Sequence, residues 1–456
     1  MTERDLAALA ERALAGTPGE AQVTVTHERS QLARFAGSRP THATEVDELT
    51  IEVLAVCGGR TAAASTTERG DESVAQLGRR ATRAAEAAAR AGTGDYPGLP
   101  APAPPAPPHH GWDPATAELD PARAGNAVAR VLSCAAGHRV EAAGVWSTGA
   151  VRTAIATSTG LRAGDAVTDA YLKVLCTGPD GRTGSASATA VCAGDVDAAQ
   201  VAETAAGKVR GGDPVELEPG EYPAVLEPQA VATLLEYLAP LAFNGLAHAE
   251  GRGALAGALG TRVAAPAVNL SDSPRFAATL PRAVDAEGVP KAPLPLIQDG
   301  VAHAVVHDTR SAAIAGGTAR STGHALAAGG SAAGPSPTNL VLVGGGAADT
   351  AELAAPIERG IYVTRLWYVN PVHAKRTLLT GMTRDGTFLI EDGRVTRPLR
   401  DVRFTDSALR LLAGTQALTA RQRLVGEGEF YGRRFASGVV CPAIRVGALR
   451  VTGATI

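Results

Sequence analysis

The sequence predicts an α+β protein, with mixed sheets and flanking helices in an N-terminal domain and a strand-rich C-terminal domain. Two observations lead to this prediction. The first 95 or so residues follow the order helix, strands, helix, and after position 260 the chain reads as loops and strands. A chain of 456 residues also exceeds one ordinary core. The predicted parts are an N-terminal unit at 1–97, a linker at 98–118, the second part of the N-terminal domain at 119–220 and a C-terminal domain at 221–456.

Composition narrows the class of protein. Apolar residues make up 45% and charged residues 20% of the chain, which is typical of a globular protein in water. The net charge of -3, without a basic stripe, gives no reason to expect binding to nucleic acid or to an anionic membrane. The N-terminus lacks an apolar signal core and no long apolar run follows, so we expect a cytoplasmic protein whose five dispersed cysteines are free thiols.

The N-terminal unit shows clear periodicity. Apolar residues at helical spacing predict helices over 3–15 and 72–92. Between them, alternation predicts one strand at 21–30, a second at 30–46, and two more within 49–67 around Gly58 and Gly59.

A Pro-rich stretch at 97–115 follows, and we interpret it as an extended linker on the surface because proline cannot donate a regular hydrogen-bond ladder. The adjacent His109 and His110 in this stretch are expected to be solvated, since a metal site needs further converging ligands. Beyond the linker, Asp120 and Pro121 are typical of a helix start, and the pattern predicts a helix at 120–137, strands within 139–195, a helix at 197–209 and a strand at 220–228.

The stretch from Glu227 to Gly260 is the most informative part of the chain. It predicts a helix that starts at Pro228, with an apolar stripe toward the core and a kink or break near Leu238 caused by Pro240. His248, Glu250 and Arg252 then lie within five residues, in a region where an active site is plausible. We therefore take His248 and Glu250 as the candidate catalytic residues.

Asp-Gly pairs mark two hairpins in the C-terminal region, because this dipeptide supplies the positive φ angles of a tight turn. The turns are predicted at Asp299-Gly300 and Asp392-Gly393. His303 and His307 near the first turn have the spacing of helical metal ligands, but we expect one buried and one peripheral histidine, since no third ligand is apparent.

Several segments of the C-terminal region, in this order and at this spacing, resemble the TldD/TldE (PmbA) family, once called modulators of DNA gyrase. The N-terminal unit and the Pro-rich connector are also similar to those of the family, so the resemblance covers almost the whole chain. The segments that carry it in the C-terminal half are Thr338–Leu342, Ile357–Val363, Val369–Pro371, Phe388–Gly393, Pro442–Val446 and Leu449–Gly453.

The resemblance implies a heterodimer of one TldD-like and one TldE-like chain around a cavity that accepts extended or unfolded peptides. It further implies that the TldD-like chain holds zinc on an HExxxH motif with a later cysteine, the glutamate acting as general base. The pair would trim or degrade peptides, including in the maturation of peptide natural products.

The zinc motif is not matched here. In the nearest match, His248 to Gly253, the glutamate comes one position late and Gly253 replaces the second histidine, while Arg252 would disfavour a dication. Cys441 directly precedes the predicted strand at Pro442, unlike the family's zinc cysteine, which lies further upstream. We therefore predict a TldE-like subunit without its own metal, with zinc in a TldD-like partner.

Two alternatives remain open at this point. One is an active metallo-hydrolase with a rearranged site of His248, Glu250 and Cys441, or of one of His303, His307 and His373. The other is a peptide-binding or biosynthetic, amide-processing partner protein, in which the strand at 338–343 binds an extended peptide by edge pairing through Thr338, Asn339 and Leu340. An ordinary interior strand at this position is equally compatible with the sequence. Neither alternative involves nucleic acid or a membrane.

Overall fold

The structure is a computed structural model that describes residues 1–430 and 432–454. Its helices are α1 (Glu3–Ala15), α2 (Asp71–Arg90), α3 (Pro114–Ala117), α4 (Pro121–His138), α5 (Ala198–Gly207), α6 (Pro228–Ala242), α7 (Gly245–Ala249), α8 (Thr309–Ala315), α9 (Thr350–Ala354) and α10 (Ala408–Ala413). Its first six strands are β1 (Glu20–Ala36), β2 (Arg39–Cys57), β3 (Arg60–Thr66), β4 (Glu141–Thr157), β5 (Arg162–Thr177) and β6 (Thr183–Ala190). The others are β7 (Gly220–Leu226), β8 (Leu270–Asp272), β9 (Leu294–Gln298), β10 (Val301–Ala302), β11 (Leu340–Leu342), β12 (Arg359–His373), β13 (Leu378–Glu391), β14 (Arg394–Pro398), β15 (Val402–Ser407), β16 (Thr415–Gly426) and β17 (Gly438–Ala454).

The first sheet is antiparallel, with strand order β3-β2-β1-β4-β5-β6. Its first hairpin differs from the sequence prediction, which divided 21–46 into two strands at residue 30. A single strand, β1, instead runs to Ala36, and the chain turns at Gly37 and Ser38, which adopt φ angles of 59° and 54°. The turn falls here because these residues, and not Ser30, adopt the left-handed backbone that a tight hairpin requires.

Four helices cover one face of this sheet. Successive strand residues point to opposite faces, and those that contact the helices lie at alternate positions. One group packs under α1 and α2, and a second packs under α4 and α5. Representative members are Val23, Val25, Ile51 and Val53 in the first group and Phe35, Trp146, Leu172 and Val174 in the second.

The opposite face of the first sheet, here called the inner face, carries polar side chains and lies against the C-terminal part of the chain. It is represented by Thr24, Thr26, Ser147, Asp165, Asp169 and Tyr171.

The second sheet has eleven strands and contains a closed ring. β7 pairs with both β12 and β17, and β13 and β15 close the ring, so each of these five strands pairs with two other strands of the ring. Helix α6 packs against this ring in the largest apolar core. The fold is thus α+β, with two sheets, flanking helices and a strand-rich C-terminal region, as the sequence predicted. None of the helices in the described residues combines the length and apolarity that a membrane crossing requires.

Three local predictions were wrong. Helix α6 runs through Pro240 to Ala242, so the predicted break near Leu238 is absent; the proline removes a single intrahelical hydrogen bond, the one that its missing N–H would donate. His109 is buried rather than solvated, and its Nε2 lies 2.8 Å from Oδ1 of Asp165. Cys441 lies inside β17, paired with Arg423, and not ahead of the strand.

A buried carboxyl group, Glu287 of the C-terminal region, connects that region to the end of the N-terminal unit at Tyr96. Its oxygens accept hydrogen bonds from the hydroxyl of Tyr96 at 3.2 Å and from the backbone N–H and hydroxyl of Thr309 at 3.0 and 2.5 Å. Burial, reinforced by the nearby charges of Asp285 and Asp308, raises the pKa of Glu287 to about 7. The folded chain therefore binds a proton here under conditions in which the unfolded chain does not.

This linkage predicts a pH-dependent stability. The pKa is higher in the folded state, so the contribution of Glu287 to the free energy of unfolding is present below the unfolded pKa and is lost as the pH rises through about 7. Replacing Glu287 by Gln should remove about 2 kcal/mol of the difference in stability between pH 5 and pH 7.5. Urea titrations at both values measure this, with the exposed Glu118→Gln as control. An unchanged pH profile in Glu287→Gln would contradict the assignment.

Candidate functional site

The segment after α6 is held by close backbone packing. Asn244 caps α7 by accepting a hydrogen bond from the backbone N–H of Ala247 at 3.0 Å, and its amide donates to the carbonyl of Ala333 at 2.6 Å. A Cβ at Gly245 would lie 2.3 Å from the carbonyl oxygen of Val306, so only glycine fits there. The conformation of the candidate site is therefore rigidly determined.

His248, in the last turn of α7, has a histidine neighbour that lies far away in sequence. Its Nδ1 is buried and has no hydrogen-bond partner among the described residues. Burial, and then the proximity of His248, lower the pKa of His307, whose own Nδ1 lies 3.2 Å from the hydroxyl of Ser311. The structure thus brings together His248 and His307, while His303 and His373 are exposed. Among the described residues, no acidic side chain is hydrogen-bonded to either imidazole.

Glu250 is not positioned as a general base. Its carboxylate is exposed and forms an ion pair with the guanidinium of Arg252, two residues further along the chain. An arginine bonded to a carboxylate competes with any metal-bound water for the same oxygens. The cationic neighbour expected from the sequence is therefore in direct contact with the candidate base.

Cys441 is also unsuitable as a zinc ligand. Its side chain is fully buried under α6, and Sγ donates to the carbonyl oxygen of Pro228 at 3.2 Å. Burial, reinforced by the charge of Glu236, raises the pKa of this thiol, and among the described residues Cys441 belongs to no group of three donor side chains close enough to hold a metal ion. Because Glu250 and Cys441 are both otherwise engaged, these residues do not fit the zinc site of a metallopeptidase.

A recess lies between the inner face of the first sheet and the C-terminal part. It encloses about 340 Å³ and is bounded by residues 282–286, 326–328 and 433–435 opposite strands β1, β4 and β5. Arg282 donates to the carbonyl of Ala436 at 2.7 Å, its guanidinium lies 3.7 Å from the ring centre of Phe435, and its Nε is buried without a hydrogen-bond partner. The recess therefore combines sheet hydroxyls, carboxylates and a buried cation.

Farther along β5, the inner face carries Tyr171, and α6 contributes Glu236. Glu236 is open to solvent, yet surrounding protein and the charge of Glu427 raise its pKa to about 7. A carboxyl group that is open to solvent on one side and packed against protein on the other combines exposure with a raised pKa. Its charge, with those of Glu427 and Glu429, contributes to the raised pKa of Tyr171, although burial is the larger cause. Acidic and phenolic groups thus line this end of the inner face.

Two interpretations of the strand at 338–343 were open: an exposed edge that binds a peptide through Thr338, Asn339 and Leu340, and an ordinary interior strand. The structure has the interior strand. Strand β11 pairs with β8 on one side and with β17 on the other, so its backbone groups are already bonded. The backbone N–H groups of Thr338 and Asn339 donate to Oδ2 of Asp272 at 2.8 Å each. A peptide could pair with this strand only by displacing β8 or β17.

The comparisons with known proteins agree with this architecture. Residues 219–453, more than half of the chain, match the family model described as the PmbA/TldA metallopeptidase C-terminal domain. The chain therefore belongs to the PmbA/TldD family, as the resemblance of its segments implied. No curated protein sequence matches it.

Solved structures share the fold over essentially the full length. TldE from Thermococcus kodakarensis is 20% identical with a TM-score of 0.85, and the match covers 99% of this chain and 100% of that one. A putative modulator of DNA gyrase from Thermotoga maritima is 18% identical with a TM-score of 0.81, and the match covers 99% of both chains. A protein of the same description from Bacteroides thetaiotaomicron is 18% identical with a TM-score of 0.80, covering 99% of this chain and 98% of that one.

Sequence reasoning missed Glu236, Tyr171 and Arg282. Glu236 interrupts an apolar helix beside two leucines, which is a usable signal, since a carboxylate within such a stripe needs an explanation. No sequence pattern around Tyr171 or Arg282 indicates a role for them, because their surroundings form only where the inner face packs against the C-terminal part.

Proposed function

We propose that this chain is the non-catalytic, TldE-like subunit of a heterodimeric zinc metallopeptidase. In this proposal it forms part of the wall of a cavity for extended peptides, and zinc belongs to a TldD-like partner. Its setting is the cytoplasm, in proteolysis or in the maturation of peptide natural products. The observation that carries the proposal is that Glu250 and Cys441, which a zinc site would require, are held by Arg252 and by the core, whereas the recess on the inner face is open.

The recess supports the peptide-binding part of this proposal. An extended peptide offers backbone N–H and C=O groups that must be hydrogen-bonded when they leave water. The inner face supplies carboxylates and hydroxyls as acceptors and donors, and Glu236 changes charge near neutral pH. Contacts of this kind are made to the backbone of the peptide and do not depend on its side chains, so they suit a substrate that is recognised as an unfolded chain.

An exposed aromatic patch on β12 is the surface that we assign to the partner subunit. Trp367, Tyr368 and Val372 are 40%, 68% and 56% exposed, and the two rings lie 5.7 Å apart between their centres. Arg384 covers the Trp367 ring at 4.2 Å. In the described part of the chain, residues 365–373 pair with β13 alone, which leaves their other edge open. Aromatic residues beside an open edge are typical of protein interfaces.

The test is reconstitution of peptide hydrolysis. The chain alone should not cleave fluorescently labelled unfolded casein, and mixing it with a TldD-like subunit from the same organism should produce activity that the partner alone lacks. Full activity of the isolated chain would overturn the proposal. Replacing Trp367 and Tyr368 together by Ala should abolish co-elution with the partner, whereas Ile314→Ala, which removes a comparably exposed apolar residue from α8, should not.

A further inference from the structure

Helices α4 and α5 bring three donor side chains together on the helical side of the first sheet, away from the recess. Sγ of Cys134 donates to Oε1 of Glu203 at 3.2 Å, and Nε2 of His138 lies 2.7 Å from Oε2 of the same carboxylate. All three donor atoms lie within 4.8 Å of one another, which no other His, Cys, Asp and Glu grouping of this size achieves in residues 1–430 and 432–454.

The backbone under these side chains is firmly held. Cys134 and His138 are four residues apart on α4, so they lie on the same side of the helix, one turn from each other. Ala135 beside Cys134 and Ala202 beside Glu203 are buried in the apolar core that α4 and α5 share. The side chains that carry the donor atoms are therefore free to adjust, while their Cα positions are not.

The local electrostatics favour a cation. Hydrogen bonds from Cys134 and His138 lower the pKa of Glu203, and burial and Glu203 raise the pKa of Cys134 to about 11. No lysine or arginine in the described residues is among the groups that shift either pKa. His138 is also the last residue of α4, where the unpaired carbonyls carry partial negative charge. Glu203 thus differs from Glu250, whose carboxylate forms an ion pair with Arg252.

We propose that Cys134, His138 and Glu203 form a binding site for a divalent, borderline-soft metal ion, of which zinc is the best match. Thiolate, imidazole and carboxylate are the three ligand types that zinc takes in proteins, and water would complete a tetrahedron. At the tetrahedral angle, bonds of about 2.3 and 2.1 Å place sulfur and nitrogen about 3.6 Å apart. The donor atoms, all within 4.8 Å of one another, already lie close to that separation.

Binding has a defined proton balance. Zinc forms bonds to Sγ, to Nε2 and to a carboxylate oxygen, the Cys134 thiol releases its proton to solvent, and the hydrogen bonds to Glu203 are lost. Because a proton must leave, affinity should rise steeply with pH, and calorimetry in buffers of different ionisation enthalpy should show about one proton released per zinc near pH 7.5. If Cys134, His138 and Glu203 only formed hydrogen bonds between the two helices and bound no zinc, no proton would be released.

The test uses the full chain without a polyhistidine tag, reduced and stripped with a chelator. We expect about one equivalent of zinc by calorimetry, and with cobalt(II) a thiolate charge-transfer band. Cys134→Ser should remove the band, and Glu203→Gln should weaken zinc binding by roughly tenfold or more, since even indirect supports of a metal site are worth that much. Cys57→Ser and His110→Gln are controls that should change nothing.

Either the absence of zinc binding or unaltered binding in both Cys134→Ser and Glu203→Gln would overturn the site. Circular dichroism of each variant verifies that it is folded. The outcome is independent of the peptide-hydrolysis test, because the site lies on the far side of the sheet from the recess. Zinc that Cys134→Ser removes from the isolated chain would thus not argue for a peptidase centre at His248.

Discussion

Replacing Asp272 by Ala is expected to lower the free energy of unfolding by about 3–5 kcal/mol, the range for removing one partner of a buried ion pair. Asp272 is completely buried, and its Oδ1 lies 3.3 Å from Nζ of Lys291 and 3.1 Å from Nε2 of His324. Its Oδ2 accepts the backbone N–H groups of Thr338 and Asn339. Burial opposes ionisation of Asp272, but Lys291 and His324 outweigh it, so the pKa is lowered.

The loss has two causes. Alanine leaves the ammonium of Lys291, which is 2% exposed, as an uncompensated buried charge, and it leaves two backbone donors ahead of β11 without an acceptor. A drop of this size is a large share of the 5–15 kcal/mol that typically separates folded and unfolded states. We therefore also expect poor recovery of soluble Asp272→Ala protein.

Urea unfolding measures the effect, with Asp213→Ala, at an exposed position, as matched control. The double variant Asp272→Ala/Lys291→Met should be more stable than Asp272→Ala, because the second change removes the stranded cation while keeping apolar volume. A loss of less than about 1 kcal/mol in Asp272→Ala would show that the ion pair of Asp272 with Lys291 does not stabilise the fold as a buried pair does.

Replacing Arg434 by Met should cost a similar amount, about 3–5 kcal/mol, for the same physical reason. Nε and Nη2 of Arg434 donate to the two carboxylate oxygens of Asp169 at 2.8 and 2.6 Å, and Nη1 donates to the hydroxyl of Ser147 at 3.1 Å. Both charged side chains are under 5% exposed. A Cβ at Gly149 would lie 2.1 Å from Nε of Arg434, so a glycine makes room for this contact.

This pair fastens the loop before β17 onto the inner face of the first sheet. Its loss should therefore expose the backbone of residues 432–437 as well as lower the free energy of unfolding. Hydrogen exchange distinguishes local exposure of these amides from faster exchange throughout the chain. The neighbouring Arg433→Met is the matched control, since that guanidinium is half exposed and reaches Glu52 only at 3.7 Å. Equal exchange in the two variants would contradict the assignment. The double variant Arg434→Met/Asp169→Asn should recover part of the stability.

Most of the elements could be predicted from the sequence because their causes are local. Apolar spacing defined α1, α2 and α4, and Asp-Gly pairs marked the turns at Asp299 and Asp392, both of which adopt positive φ angles. The broken order of His248, Glu250 and Gly253 likewise needed no coordinates, because metal ligands must occur as the right residue types at the right spacing. Sequence alone therefore determined the fold class, the family resemblance and the mismatch of the zinc motif.

Only the tertiary structure decided which distant residues meet. It placed β11 between two strands, buried His109 on Asp165, set His248 beside His307 and brought Glu203 to Cys134 and His138. Spacing along one helix or strand predicts neighbours on that element, but a contact between elements depends on how apolar faces pack, and many registers satisfy the same pattern. The polar recess, with Asp165 and Arg282 on its walls, arises from that packing and from no motif in the chain.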